Sequence, residues 1–501
     1  MARSVLLAVD CSTTAGKAIA FDLAGRTIAE TRHYLRMSSP HQGWYEQDAE
    51  GWWEATANAL ADVASMLSPD DTVLALGLTN QRESFVCLDR RGVPLRPAIL
   101  WLDGRAVDEI ERLGTARVHE LSGKPPSTAP SLYKIAWLAR HEPQVLARTA
   151  TVTDVQGFLA WRLTGARVTS RASADSTGLV DVAAGTWHDE LVAAAGLRPK
   201  QLPALVGPGT RLGHLTPGAA TRTGLPSGLP VIAGSGDGQA SLLGTGAMGP
   251  GDAFLNAGTS LSLGVLTKHY TWGPGYRTFA GPVDGWFVPE CLTASAGLSL
   301  SWFRDSLAPD QPSGRIEALA AQVPAVTHGL MFLPHLTGAE SPHRDPTARG
   351  VLVGLGTTHG PAELYRALVE GLALEQRQAV GTLEAVTGTA VTTVATTGGL
   401  TQSPLVMRVL VDALQRPVRL ARERESTALG AAIIAAASTD VAAFASVSEA
   451  VAAMSGTQDS VLPNPELAQR YAEAAAVFAD LYPRVASLGP ALARLRKAGP
   501  A

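Results

Sequence analysis

Two stretches of this chain open in the same way. Ser4 to Asp10 is an apolar strand, Asp10-Cys11-Ser12-Thr13-Thr14-Ala15-Gly16-Lys17 is a turn of small hydroxyl residues, and Gly16 to Asp22 is a second strand. About 245 residues later, Asp252 to Asn256 reads as a strand, Gly258-Thr259-Ser260 as a small-residue turn, and Leu261 to Leu266 as a second strand. A hairpin met twice at that distance implies a duplicated α/β unit. The 501 residues exceed what one core organises, so at least two domains are expected. The glycines from Gly244 to Gly251 form a hinge candidate, which divides the chain into 1–246 and 247–501.

The two turns share a chemistry. Small hydroxyl residues in a tight hairpin expose several backbone N–H groups and O–H donors on one side, a nest suited to phosphate. Asp10 closes the first strand and is a candidate Mg²⁺ carboxylate, since Mg²⁺ favours carboxylate oxygens together with waters. Two nests facing each other across a cleft would grip one triphosphate from both sides. The turn is not a P-loop, because no GxxxxGK[ST] occurs.

Further segments supply the rest of a site. Val73 to Thr79 is a buried strand that delivers Asn80-Gln81-Arg82-Glu83 at its C-terminal end, where open α/β sheets place ligands. A guanidinium fork beside an acceptor suits the vicinal hydroxyls of a small polyol. Gly234-Ser235-Gly236-Asp237-Gly238 follows the apolar run Leu229 to Ala233, so one carboxylate sits in a glycine-rich turn that a ligand can approach. Val391 to Ala395 leads through Thr396-Thr397-Gly398-Gly399 into a helix from Ser403 to Leu414. Such a junction offers free N–H groups and bare backbone to a base or ribose. Elsewhere the pattern predicts a helix from Ala49 capped by Asp48, a connection over Val168 to Val182, a helix starting at Trp187, and a long helix over Pro361 to Val380.

Composition narrows the class. A net charge of -4 without a basic cluster gives no footprint for nucleic acid. Cys11, Cys87 and Cys291 form no CxxC pair, which fits a reduced, cytoplasmic setting. The longest helical apolar run, Thr427 to Ser438, is too short to span a bilayer. A GxGxxG at Gly244, Gly246 and Gly249 runs into Pro250-Gly251 where a helix should start, which argues against a dinucleotide site.

Together these segments resemble the FGGY carbohydrate kinases, over nearly the whole chain. Gly350-Val351-Leu352-Val353-Gly354-Leu355, followed by Glu363 to Glu370, fits the family's C-terminal signature. Ser131 to His141, around Lys134 and Trp137, fits a second signature. The resemblance implies two ribonuclease-H-like domains of the actin-like ATPase type around a central cleft. It implies ATP and Mg²⁺, a small sugar or polyol as partner, and a monomer or homodimer. It makes Asp237 the catalytic base, and Asp10 with Asp237 the carboxylates facing Mg²⁺. Ser12, Thr13, Thr14, Lys17, Gly258, Thr259 and Ser260 become the phosphate grips, and Gly398, Gly399 and Ser403 the adenosine contacts. Asn80, Gln81, Arg82, Glu83 and Gly238 join Asp237 on the sugar side. Ser12 and Ala129 depart from the usual residues.

The substrate is less legible. Asn80 to Glu83 is similar to glycerol kinases, yet Gly238 stands where those have Gln, and a Tyr near Ala129 is missing. Trp101 to Arg105 and Gly258-Thr259-Ser260 are closer to xylulokinases, and Ala172 to Asp181 has gluconokinase character. A ketopentose, D-xylulose first, is the leading expectation, with glycerol, a tetritol or another sugar or sugar acid as alternatives. A non-catalytic actin-like ATP-binding protein is the reading from another class. Arg82-Glu83 beside Asp237 speaks against it, since a filament needs no hydroxyl pocket next to a base.

Overall fold

The computed structural model describes residues 3–312, 314–326 and 329–497. Strand β1 (Ser4–Cys11) is buried from Val5 onward, on both faces, as a central strand covered by helices must be. It pairs antiparallel with β2 (Ala15–Asp22), which pairs antiparallel with β3 (Thr27–Tyr34). The chain then crosses through helix α1 (Ala49–Met66), whose first turn is capped by the Asp48 carboxylate accepting from Glu50 N. It returns as β4 (Thr72–Asn80), parallel to β1. Strands β5 (Arg211–His214) and β6 (Pro230–Ile232) complete the order β5-β6-β4-β1-β2-β3. Helix α2 (Asp237–Gly244) follows β6 directly.

The second half repeats the plan. Strands β7 (Asp252–Ala257) and β8 (Leu261–Val265) form the hairpin read from the sequence. Strands β9 (Arg277–Ala280) and β10 (Phe287–Thr293) extend it antiparallel. After the long helix α3 (Pro361–Thr387), β11 (Thr393–Thr397) lies parallel to β7. Helix α4 (Pro404–Leu414) then leads to β12 (Val418–Ala421), parallel to β11, and β13 (Thr457–Val461) closes the edge. The order is β9-β10-β8-β7-β11-β12-β13. Three antiparallel strands followed by two parallel ones, β3-β2-β1-β4-β6, therefore recur as β10-β8-β7-β11-β12. This is the duplicated, actin-like architecture that the resemblance implies. Asn256, next to last in β7, stands where Asp10 stands in β1.

Helix α5 (Ser426–Ala436) belongs to the second half in sequence but packs on β1, β4 and α2 of the first. Small residues permit the close approach. A Cβ on Gly430 would fall 2.5 Å from Ala240 C, one on Gly244 2.6 Å from Ser426 C, and one on Gly77 2.9 Å from Ala431 C. One continuous apolar cluster joins Leu6, Ala8, Phe21 and Ile232 to Phe254, Phe279, Ala395 and the Ala-rich face of α5.

Some expectations need correction. Trp187 does not start a helix. Thr186–Trp187 pairs antiparallel with Val180–Asp181, as a β-branched and aromatic pair favours, and the helix begins at Asp189. The Val168 to Val182 connection contains a strand at Val168–Ser170 and helical turns at Arg171–Ala174 and Asp175–Thr177. Helix α3 runs past Val380 to Thr387, because nothing stops it before Gly388, whose φ of 65° makes the left-handed cap. No described helix is long and apolar enough to cross a membrane.

Candidate active site

Asp237 is the first residue of α2 and stands at the meeting point of the two halves. An isolated parallel bridge between Asn80 and Gly236 draws the end of β4 alongside the turn before α2. Arg82 is thereby placed with Nε 3.0 Å from Asp237 Oδ1. Gly238 N also donates to Asp237 Oδ1, at 2.7 Å. The Asp237 side chain is 41% exposed, open to the cleft while walled by protein on the other sides. That enclosure raises its pKa above the ordinary carboxylate value, against the pull of Arg82.

Behind Arg82 lies a buried charge network that joins the halves. Glu290, on β10, is fully buried and accepts from Arg82 Nη1 and Nη2, each at 3.2 Å. It also accepts from Arg277 Nε at 2.9 Å and Nη2 at 2.6 Å. Arg277 Nη1 reaches Glu83 Oε1 at 3.2 Å. Burial pushes the Glu290 carboxyl up, but the two guanidinium groups outweigh it and hold the pKa at about 2. The Phe279 ring lies under Arg82 (4.2 Å), Lys124 (4.2 Å) and Arg277 (4.9 Å). Lys124 is itself paired with Asp175 at 3.0 Å. Glu83 takes a left-handed φ of 66°, pinned by Glu83 N donating to Ser176 Oγ and Ser131 Oγ donating to Glu83 O. The pair is thus buried, and much of the Arg82 donor fork is taken by Glu290.

The first hairpin adjoins this pocket. Thr13 Oγ1 donates to Gln81 Oε1 at 3.0 Å and accepts from Trp101 Nε1 at 2.9 Å, while Gln47 Nε2 donates to Thr13 O at 2.6 Å. Ser12 Oγ closes its own turn on Ala15 O, and Thr14 is exposed at the tip. Lys17 Nζ lies 3.9 Å from Asp10 Oδ2 and 2.6 Å from Glu425 Oε2, an ion pair that crosses between the halves. Asp10 is buried and its Oδ1 has no hydrogen-bond partner among the described residues. Burial pushes the Asp10 carboxyl up to about 7 despite Lys17, with Asp237 and Glu425 adding repulsion. An orphaned, desolvated carboxylate oxygen beside another carboxylate fits a divalent cation.

On the other side, Thr259 is exposed at the tip of the β7–β8 turn, with Gly258 and Ser260 half-buried beside it. Gly398, at φ 105°, is pressed against that hairpin, where a Cβ would meet Ala257 O at 2.5 Å. Gly399 is exposed, with no atom within 4 Å of where its Cβ would be, so the backbone there is open to a planar ligand.

Three of the residues expected at the site make hydrogen bonds within the protein. Asn80 is buried, its Oδ1 taken by Gln156 Nε2 and Ser173 Oγ, with Nδ2 on Gln81 O. Gln81 is buried too and braces the first hairpin through Thr13, Ser84 and Ser12 O. Ser403 caps α4 by accepting from Val406 N and donates to Glu317, so its hydroxyl is committed within the protein. The sequence reading missed Glu290, Arg277 and Glu425. A lone acid inside the apolar run Phe287–Thr293 was the available signal for Glu290.

A carboxylate paired with a guanidinium where the two halves meet, with a small-residue turn in each half, is the equipment of a phosphotransferase with an alcohol acceptor. Comparison with known proteins narrows this to a family. Residues 5–244 match the N-terminal domain of the FGGY family of carbohydrate kinases, and residues 253–439 match its C-terminal domain. The chain is 32% identical over 448 residues to a glycerol kinase from Alkalilimnicola ehrlichii, covering 86% of this chain and 89% of that protein. It is 34% identical over 377 residues to a xylulose kinase from Escherichia coli, covering 73% and 76%. The crystal structure of xylulose kinase from Rhodospirillum rubrum superposes with a TM-score of 0.89 at 32% identity, covering 97% and 99%. The chain belongs to the FGGY family of carbohydrate kinases. It is an ATP-using phosphotransferase that acts on a small sugar or polyol.

Proposed function

We propose that the acceptor is a ketopentose, D-xylulose first, held between Arg82, Glu83 and Asp237. The observation that carries this reading is the bare backbone at Gly238. A Cβ there would lie 2.9 Å from Arg82 Nη2, so Arg82 packs against bare backbone and residue 238 puts no side chain beside the base where glycerol kinases carry Gln. In this reading Asp237 takes the proton of the acceptor hydroxyl as the new O–P bond forms and the bond to ADP breaks. Its ionised form is favoured by Arg82, which also fixes its orientation. Thr13, Thr14 and Lys17 hold the triphosphate from one lobe and Gly258, Thr259 and Ser260 from the other. Ser12 shapes the first turn, and Gly398-Gly399 carries the adenosine. Asp10, with Asp237 nearby, would hold Mg²⁺, which when bound neutralises charge on the phosphates. Drawing the lobes together excludes water and limits wasteful hydrolysis.

The test is a coupled ADP-release screen over pentuloses, hexuloses, glycerol, tetritols and gluconate. D-Xylulose is expected to give the highest kcat/KM. ATP turnover indifferent to every sugar would refute the pocket, and a clear preference for glycerol would refute the assignment of chain length.

A further inference from the structure

Every cation of the pocket is already spoken for. Arg82 is held by Asp237 and Glu290, Arg277 by Glu290 and Glu83, and Lys124 by Asp175. Glu290 is the hub. One of its oxygens, Oε1, accepts from both arginines, and the other accepts from Arg82. Three cations gathered on the single Phe279 ring would repel one another without these carboxylates. The exposed charged group beside them is the Asp237 carboxylate, with Glu83 buried behind it, and carboxylates accept hydrogen bonds and donate none. Hydroxyl groups suit them. A carboxylate on the substrate would meet fixed negative charge and no uncommitted guanidinium.

We infer that Glu290 is a specificity-determining residue that sets this kinase for uncharged sugars and polyols against aldonates, by occupying the guanidinium groups of Arg82 and Arg277 that would otherwise bind a substrate carboxylate. The inference rests on the reading of Arg82, Glu83 and Asp237 as the acceptor pocket. Arginine binds carboxylates through two parallel N–H···O bonds, and Glu290 mimics such a ligand from within the protein. Its removal leaves two buried arginines seeking an anion.

Two measurements test this. In the wild-type enzyme, xylonate and xylitol are compared as competitors of the sugar. They share chain length and differ in the carboxylate, and xylonate is expected to compete at least about tenfold more weakly, as befits one unsatisfied charged contact. In Glu290→Gln, which keeps shape and loses charge, the ratio of kcat/KM for xylonate to that for D-xylulose is expected to rise at least about tenfold. Xylonate should then also raise the melting temperature of the variant and not that of the wild type. Purely structural damage would lower both kcat/KM values together and leave their ratio unchanged. An unchanged ratio, or equal competition by xylonate and xylitol in the wild type, overturns the role of Glu290 while leaving the pocket intact. Wild-type enzyme without ADP release on any neutral acceptor overturns the pocket itself, and the role of Glu290 with it.

Discussion

The crossing of α2 and α5 gives a perturbation whose size can be worked out from geometry. Gly430 touches neither ATP nor sugar in the proposed site. A methyl group placed on it would lie 2.5 Å from Ala240 C and 2.9 Å from Ala240 Cα, and nearer still to the carbonyl oxygen. These are backbone atoms of a buried helix, so no side chain can swing aside. The carbonyl oxygen is the limiting contact, and to bring it to an ordinary separation of about 3.5 Å the helices must part by about 1.5 Å. Ala240 is three residues from Asp237 on the same helix, so the shift carries the carboxylate with it. A misplacement of about 1 Å can cost about 100-fold in rate, and overpacking costs about 1–3 kcal/mol of stability. Gly430→Ala is therefore expected to lower kcat by about two orders of magnitude with a modest loss of Tm. The coupled ADP-release assay reads the first and thermal unfolding the second. Gly381→Ala is the control. It lies at an exposed position of helix α3 with no atom within 4 Å of the new methyl, and should gain up to about 1 kcal/mol with unchanged turnover. A Gly430→Ala enzyme with wild-type kcat would refute the claim that this crossing sets the position of Asp237.

Further outcomes follow from the same geometry. Asp237→Asn should lose at least about 100-fold in kcat while still binding sugar; near-normal turnover would remove Asp237 from its proposed role. Arg82→Ala should raise the KM for sugar more than that for ATP, and an unchanged sugar KM would count against the pocket. Lys134 is fully buried between Leu100 O and Ala129 O, and burial pushes its amine from 10.5 down to about 7. Between these values the unfolded chain binds more protons than the folded one, so this group's burial penalty is relieved as pH rises. The Tm advantage of Lys134→Met over wild type should therefore shrink between about pH 7 and 10; a difference that grows with pH would contradict the assignment.

What was legible in the sequence was local. The two hairpins, the Gly-Asp-Gly turn and the Gly398-Gly399 junction each lie within a few residues, and turn chemistry betrays them. The repeated hairpin pointed to a duplicated unit, while the strand order emerged only from the pairing. What was not legible depends on partners far apart: Arg82 with Glu290, Arg277 with Glu83 and Lys17 with Glu425 are joined across 208, 194 and 408 positions. Spacing carries no trace of such pairs. Asn80 and Gln81 show the same dependence on distant partners. Strand β4 ends at Asn80 with Gln81 just beyond it, and both side chains bond polar groups of distant segments.

The Ala-rich helix at 426–436 finishes the hydrophobic interior of a sheet whose central strands β1 and β4 were laid down some 350 to 420 positions earlier. A gene fragment ending near residue 246 would encode a sheet with one side stripped to water, prone to clump rather than to fold. Chimaeras that swap lobes between relatives would have to carry this helix along with the N-terminal lobe, and a split at the obvious linker would sever the wrong connection.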